Sequence, residues 1–224
     1  MSAVPALESV GRVLLRDQAA DRIRDAIVAG DLPPGTVVKD AVLAERLGLS
    51  VAPVRAALAR LADEGLVESK PQSHTRVTPL VVQHVRDAAA VVRAMHELAA
   101  REATGRLTDD DVGEMWVANG RFAAAIGERD VDAALAADDD LHAVLLARCG
   151  NAAATATAAR FTPLIRRLER QRFAAADARR SVEVHDRLIA ACAARDVEAA
   201  VAVTTEIWTA LLSGLDEERS DATG

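Results

Sequence analysis

Residues 43–67, LAERLGLSVAPVRAALARLADEGLV, constrain the fold more than any other stretch of the chain. Gly48 closes a short helical pattern carrying Val42, Leu43, Ala44 and Leu47, since glycine ends a helix at little conformational cost. Ser50 follows at an N-cap position, where its hydroxyl can accept from amides of the next turn. Pro53 falls in that first turn, where a missing N–H costs little. A new helix therefore starts near Val51. Along it Val54, Ala57, Leu58 and Leu61 recur at i, i+3, i+4 and i+7 and must face inward. That leaves Val51, Ala52, Arg55, Ala59 and Asp63 turned outward or to the flank, and Gly65 ends the pattern.

An amphipathic pattern over residues 16–29 precedes this pair, with Ala19, Ile23, Ala26 and Ile27 on one face. GDLPPGTVV, between the two, reads as a turn. After Gly65, LVESKPQSHTRVTPL supplies two β-prone runs, Leu66 to Ser69 and Thr75 to Thr78, around a polar turn, which predicts a small hairpin. Three helices followed by a hairpin make a winged helix-turn-helix, whose third helix enters the major groove of DNA. From Leu80 onward proline becomes scarce and helical patterns recur near 81–104, 108–128, 131–149, 151–174, 178–195 and 196–214. Short connections between six helices predict an antiparallel bundle. The expected fold is thus mainly α: residues 1–79 a winged DNA-binding domain, residues 80–224 an all-helical effector-binding and dimerisation domain, with a polar tail at the end.

Aromatic residues are only 2% of the chain, so small side chains must do most of the packing. Cys149 and Cys192 lack CxxC spacing and read as small core residues. With no signal-peptide pattern and no apolar run long enough to span a membrane, the expected location is the cytoplasm. The net charge of −7 argues at first against nucleic acid, but it is unevenly spread. Residues 1–79 hold ten Lys/Arg and ten Asp/Glu, so the rest of the chain carries the whole excess. A neutral DNA-binding domain neutralises few phosphates, and a homodimer on a palindromic operator would double its contacts.

Within the first 79 residues, a run of about 45 resembles the GntR family of bacterial transcription regulators. The resemblance rests on Pro34, Gly35, Leu43, Ala44, Leu47, Gly48, Ser50, Pro53, Val54, Arg55, Ala57, Leu58, Leu61, Glu64, Gly65, Leu66 and Val67. Two positions depart from it: the family usually has arginine after the cap serine, where this chain has Val51, and often glycine in the wing, where it has His74. The resemblance implies base reading by Arg55, bidentate on guanine, with Val51 and Ala52 beside a thymine methyl. Arg46, Lys70 and Arg76 are candidates for phosphate contact. His74 reads equally as a wing contact or a turn residue, and Arg55 as a DNA contact or a solvated arginine.

The bundle resembles the FCD ligand-binding domain of the FadR-type branch, through Asp138, Leu141, His142, Leu145, Gly150, Asn151, His185, Leu188, Ala191, Asp196 and Ala200. Asp138 and His142 also share one helix face by spacing alone. The resemblance implies that Asp138, His142 and His185 hold a divalent metal, zinc, nickel, manganese or iron, facing a small carboxylic acid. The family's last histidine falls at Ile207, so the alternative is a metal-free pocket. Arg93, facing the pocket and paired with Glu97, would fork onto the acid's carboxylate, or the two form a plain intrahelical ion pair. Arg170 and Arg172, in the basic run 166–172, either reach the effector or are solvated. Trp116 and Trp208 read as packing anchors.

The function implied is a ligand-responsive transcriptional regulator, a repressor, controlled by a small organic acid. Two other classes are consistent with parts of the sequence: a helical interaction protein without DNA binding, suggested by Val51, and a metal-dependent enzyme using Asp138, His142 and His185. Against the enzyme, no separate general base or cofactor motif is evident.

Overall fold

The computed structural model describes residues 14–70, 74–174 and 179–221; the side chains of residues 70, 171, 172, 174 and 214–221 lie outside that description. Among the described residues there are nine α-helices and one small sheet. The N-terminal elements are α1 (Leu15–Ala29), β1 (Val37–Val38), α2 (Asp40–Leu47), α3 (Val51–Asp63), β2 (Val67–Lys70) and β3 (His74–Val77). α3 begins at Val51 because Ser50 holds an extended backbone there. The Ser50 hydroxyl makes no hydrogen bond to the helix end, however, so the position caps by backbone geometry and not by its side chain. Gly48 takes the left-handed conformation the turn needs, its amide donating back to the Ala44 and Glu45 carbonyls.

The sheet has three strands in the order β1-β3-β2, all antiparallel, where the sequence suggested only a hairpin. β1 is two residues of the stretch read as a turn, and it pairs Val37 with Arg76 and Val38 with Thr75. Such a strand is too short to show alternation, so only the docking of its backbone on β3 reveals it. Ile23, Val54, Leu58, Leu61, Leu66 and Val77 form the buried core beneath. Each contributes about 1.5–3 kcal/mol through removal from water.

The bundle comprises α4 (Val82–Ala103), α5 (Asp109–Glu128), α6 (Val131–Cys149), α7 (Ala152–Ala174), α8 (Arg179–Ala193) and α9 (Val197–Asp221). α4 packs against α6, α7 and α9, while α5 packs against α6 and α8. Met115, Leu141, Leu188 and Ile189 centre one core, which also buries the free thiols Cys149 and Cys192. Val92, Ile165, Trp208 and Leu211 centre another. Alanine makes the close approach of α4 possible, with Ala89, Ala99, Ala100 and Ala103 fully buried. Trp208 is a packing anchor, but Trp116 is 44% exposed on α5. No helix among the described residues is long and apolar enough to cross a membrane.

The winged region is docked on α7. Leu164 packs into both the winged core and a bundle core. Arg160 donates from Nη2 (2.9 Å) and Nε (3.2 Å) to the Asp63 carbonyl at the end of α3, and Arg167 donates to the Thr78 carbonyl at 3.1 Å. The exposed carbonyls left by the last turn of α3 thereby gain a cation.

Candidate metal centre and nucleic-acid interface

Two helices bring Asp138, His142 and His185 together as buried side chains whose donor atoms lie within 4.8 Å of one another. Asp138 and His142 share one face of α6, one turn apart, and α8 supplies His185. Asp138 Oδ1 stands 3.4 Å from His185 Nε2 and 3.8 Å from His142 Nε2, while Oδ2 accepts from Arg166 Nη1 at 2.8 Å. One carboxylate oxygen is thus committed to Arg166 and the other faces the two imidazoles. Asn119 sets the tautomer of His185. Its Nδ2 donates to Asp186 Oδ1 (2.7 Å) and to the Val182 carbonyl (3.3 Å), which leaves Oδ1 to accept from His185 Nδ1 at 3.2 Å. His185 Nε2 therefore presents its lone pair toward Asp138, the outer-partner arrangement that orients metal ligands.

Electrostatics favour the same assignment. Burial opposes ionisation of Asp138, yet the charged surroundings, Arg166 foremost, outweigh it and hold the carboxyl well below the usual range. Burial pushes His142 down, with Asp138 offsetting only part, so the imidazole is neutral and able to ligate. Burial also pushes the Glu169 carboxyl up to about 7, against the pull of Arg166. Arg166 is bound by Asp138, Asp139 and Glu169 together, so this guanidinium is spent on fixing the trio's surroundings.

The trio opens on a cavity of about 990 Å³. Its bundle walls include Leu135, Ile165, Phe173, Ile207, Trp208 and Leu211. Arg24, Asp25 and Val28 of α1 and Arg60, Asp63 and Glu64 at the end of α3 complete them, so the winged region itself borders the cavity. Glu64 is 5% exposed and accepts from Arg24 at 2.8 and 2.9 Å and from Arg60 at 3.0 Å, an ionic link between α1 and α3.

Two expected effector contacts lie elsewhere. Arg93 is bound by Glu97 at 2.8 Å outside the cavity lining, and Glu97 also accepts from Thr205, so this is an intrahelical pair with a helix–helix partner. Arg170 is bound by Asp132 at 2.6 Å and does not line the cavity either. A helical wheel gives the direction of a side chain but not its neighbours: Arg93 meets Glu97 on its own helix, and Arg170 meets Asp132 on α6. The Arg172 side chain lies outside the described residues. His96, Asn119, Arg166 and Glu169 were not singled out from the sequence. The available signal was polar residues set into apolar stripes: His96 between Val92, Ala99 and Ala103, and Asn119 between Met115 and Phe122.

On the winged region, Arg46, Ser50, Ala52 and Arg55 are exposed, with Ala52 and Arg55 on the first turns of α3. Arg55 is 73% exposed and donates from Nε to Asp40 Oδ2 at 3.0 Å. Val51 is half-buried against the winged core, so it is less available for a thymine methyl than the helical wheel suggested. Arg76 is half-buried and donates from Nη2 to His74 Nε2 at 3.2 Å, which joins two wing candidates. The Lys70 side chain lies outside the described residues.

Fold and site together define a two-part protein, a winged helix-turn-helix carried on a helical bundle that encloses a ligand-sized cavity. Residues 15–77 match the model of the bacterial regulatory proteins of the gntR family, and residues 87–210 match the FCD domain. The chain belongs to the gntR family of bacterial regulatory proteins, in its FCD-containing branch. It is 26% identical over 141 residues to the HTH-type transcriptional repressor RspR of Escherichia coli (strain K12), covering 63% of this chain and 58% of that protein. The chain thus spans less than two thirds of that relative's length. E. coli McbR/YncC shares the fold, with a TM-score of 0.82 at 21% identity over 93% of this chain and 100% of that one. Lar of Listeria monocytogenes is a more distant likeness, with a TM-score of 0.59 at 14% identity over 91% and 97% of the two chains.

Proposed function

We propose that the protein is a ligand-responsive, sequence-specific DNA-binding regulator, a repressor, acting as a homodimer on a palindromic operator. Residues 1–79 are its DNA-binding part and residues 80–224 its effector-binding and dimerisation part. The observation that carries this reading is the shared cavity: the Asp138/His142/His185 trio and the ends of α1 and α3 line the same space. A molecule filling it touches the bundle and the base of the reading helix at once. The effector is a small carboxylic acid, and Asp138, His142 and His185 hold a divalent cation that would offer open positions to its carboxylate. Arg166 fixes Asp138, and Asn119 fixes His185. Arg24, Arg60 and Glu64 sense occupancy, and Arg160 transmits it to α3 through the Asp63 carbonyl. Such coupling requires that the acid bind unequally to the DNA-competent and DNA-incompetent states.

Arg55 reads the operator, and Ser50, Ala52 and Arg46 flank it. The test is fluorescence anisotropy of the full chain with DNA from upstream of its own coding region, across a salt series. Expected are salt-dependent binding and a loss in Arg55→Ala of about 1–3 kcal/mol per contacted guanine. Organic acids with and without zinc are then titrated into the complex. Affinity equal to that for random DNA, and equal in the variant, sinks the reading.

A further inference from the structure

His96, on α4, borders the same cavity, with its ring centroid 5.2 Å from that of His142 and its edge against Trp208, also at 5.2 Å. His142 and His185 stand 5.4 Å apart in the same measure. Two imidazoles on one ion, with metal–nitrogen bonds of about 2.0–2.1 Å at roughly right or tetrahedral angles, have centroids about 4.5–5.2 Å apart. The His96–His142 spacing therefore suits a shared ion as well as the His142–His185 spacing does. His96 Nδ1 is moreover buried with no hydrogen-bond partner among the described residues. Folded proteins rarely leave such an atom unmet unless an ion, water or ligand meets it.

We propose that His96 is a further protein ligand of the divalent cation held by Asp138, His142 and His185, giving that ion three imidazoles and one carboxylate. This rests on the metal reading given above. The indole N–H of Trp208, the other ring beside His96, has no lone pair to give. Ile207, beside Trp208, adds only hydrocarbon to the wall. The His96 nitrogens stand outside the 4.8 Å group formed by the trio, so coordination takes a rotation of its side chain into the cavity it borders. A three-imidazole set shifts the preference toward zinc or nickel and away from manganese.

The test uses zinc alone with the full chain, by competition against a chromophoric chelator and by X-ray absorption at the zinc edge. Wild type is expected to show three imidazoles on zinc and His96→Ala two, with affinity lower by at least about tenfold, since even outer partners of a metal site are worth that much. The double variant His96→Ala/Ile207→His is expected to recover affinity. Two imidazoles in wild type, which needs no variant to fold, or affinity within about twofold in a folded His96→Ala, overturns the proposal. If zinc affinity is undiminished in His96→Ala but binding is lost in His142→Ala, the metal reading stands and only the role of His96 falls. No zinc binding by wild type refutes both.

Discussion

Arg55 is engaged in an ion pair before DNA arrives. Its Nε and Nη2 each lie 3.0 Å from Asp40 Oδ2, with the two side chains 73% and 39% exposed. To fork onto a guanine, the guanidinium must leave Asp40, so the pair opposes binding by whatever it is worth. An exposed pair of this kind contributes about 0.2–1 kcal/mol. For a dimer that is about 0.4–2 kcal/mol, or about 2- to 30-fold in affinity at 1.4 kcal/mol per decade. Asp40→Asn is therefore expected to tighten operator binding by that range, most at low salt, where the lost negative charge also matters. Asparagine keeps the oxygen that accepts from the residue's own backbone amide, which contributes to holding the Asp40 carboxyl below its usual range. It gives up the charge at the start of α2, worth about 0.3–1 kcal/mol of stability, which a thermal melt registers separately. Anisotropy titrations of wild type, Asp40→Asn, Arg55→Ala and the double variant close the cycle. Unchanged or weaker binding by Asp40→Asn refutes the reasoning. So does a gain of equal size in the Arg55→Ala background, since it would then come from charge alone.

Arg166→Met strands Asp138 and Glu169 in a buried site, and breaking such a network costs about 3–5 kcal/mol, visible as a shift of the urea midpoint; a change under about 1 kcal/mol refutes the network's role. The Thr108 amide, reinforced by Arg148, holds the Asp111 carboxyl below its ordinary value against burial. Its stabilisation is then complete above about pH 4 and is lost as pH falls through the depressed value. Wild type should lose more stability than Asp111→Asn between pH 7 and pH 3 in urea melts, and parallel losses would count against it. Gly65→Ala forces a left-handed φ of +76° on alanine and sets its Cβ 3.4 Å from Leu164 Cδ1. About 1 kcal/mol or more should be lost in thermal denaturation, and an unchanged midpoint would contradict the strain.

The sequence by itself determined the helices, because periodicity, capping positions and glycines act within a few turns of chain. α3 starts at Val51 as the Ser50 position predicts, and the six bundle helices begin within about three residues of their predicted starts. Asp138 and His142 on one face of α6 also follow from spacing alone. Tertiary structure decided what no local pattern holds. β1 exists because its backbone meets β3, and Arg93 and Arg170, paired with Glu97 and Asp132, stay outside the cavity lining. Asn119 and Arg166 gain their roles only when α5 and α7 bring them to His185 and Asp138. His96 enters the site the same way, from α4. The physical reason is range: a helix forms from contacts three and four residues apart, whereas a site forms where side chains from distant segments exclude water together.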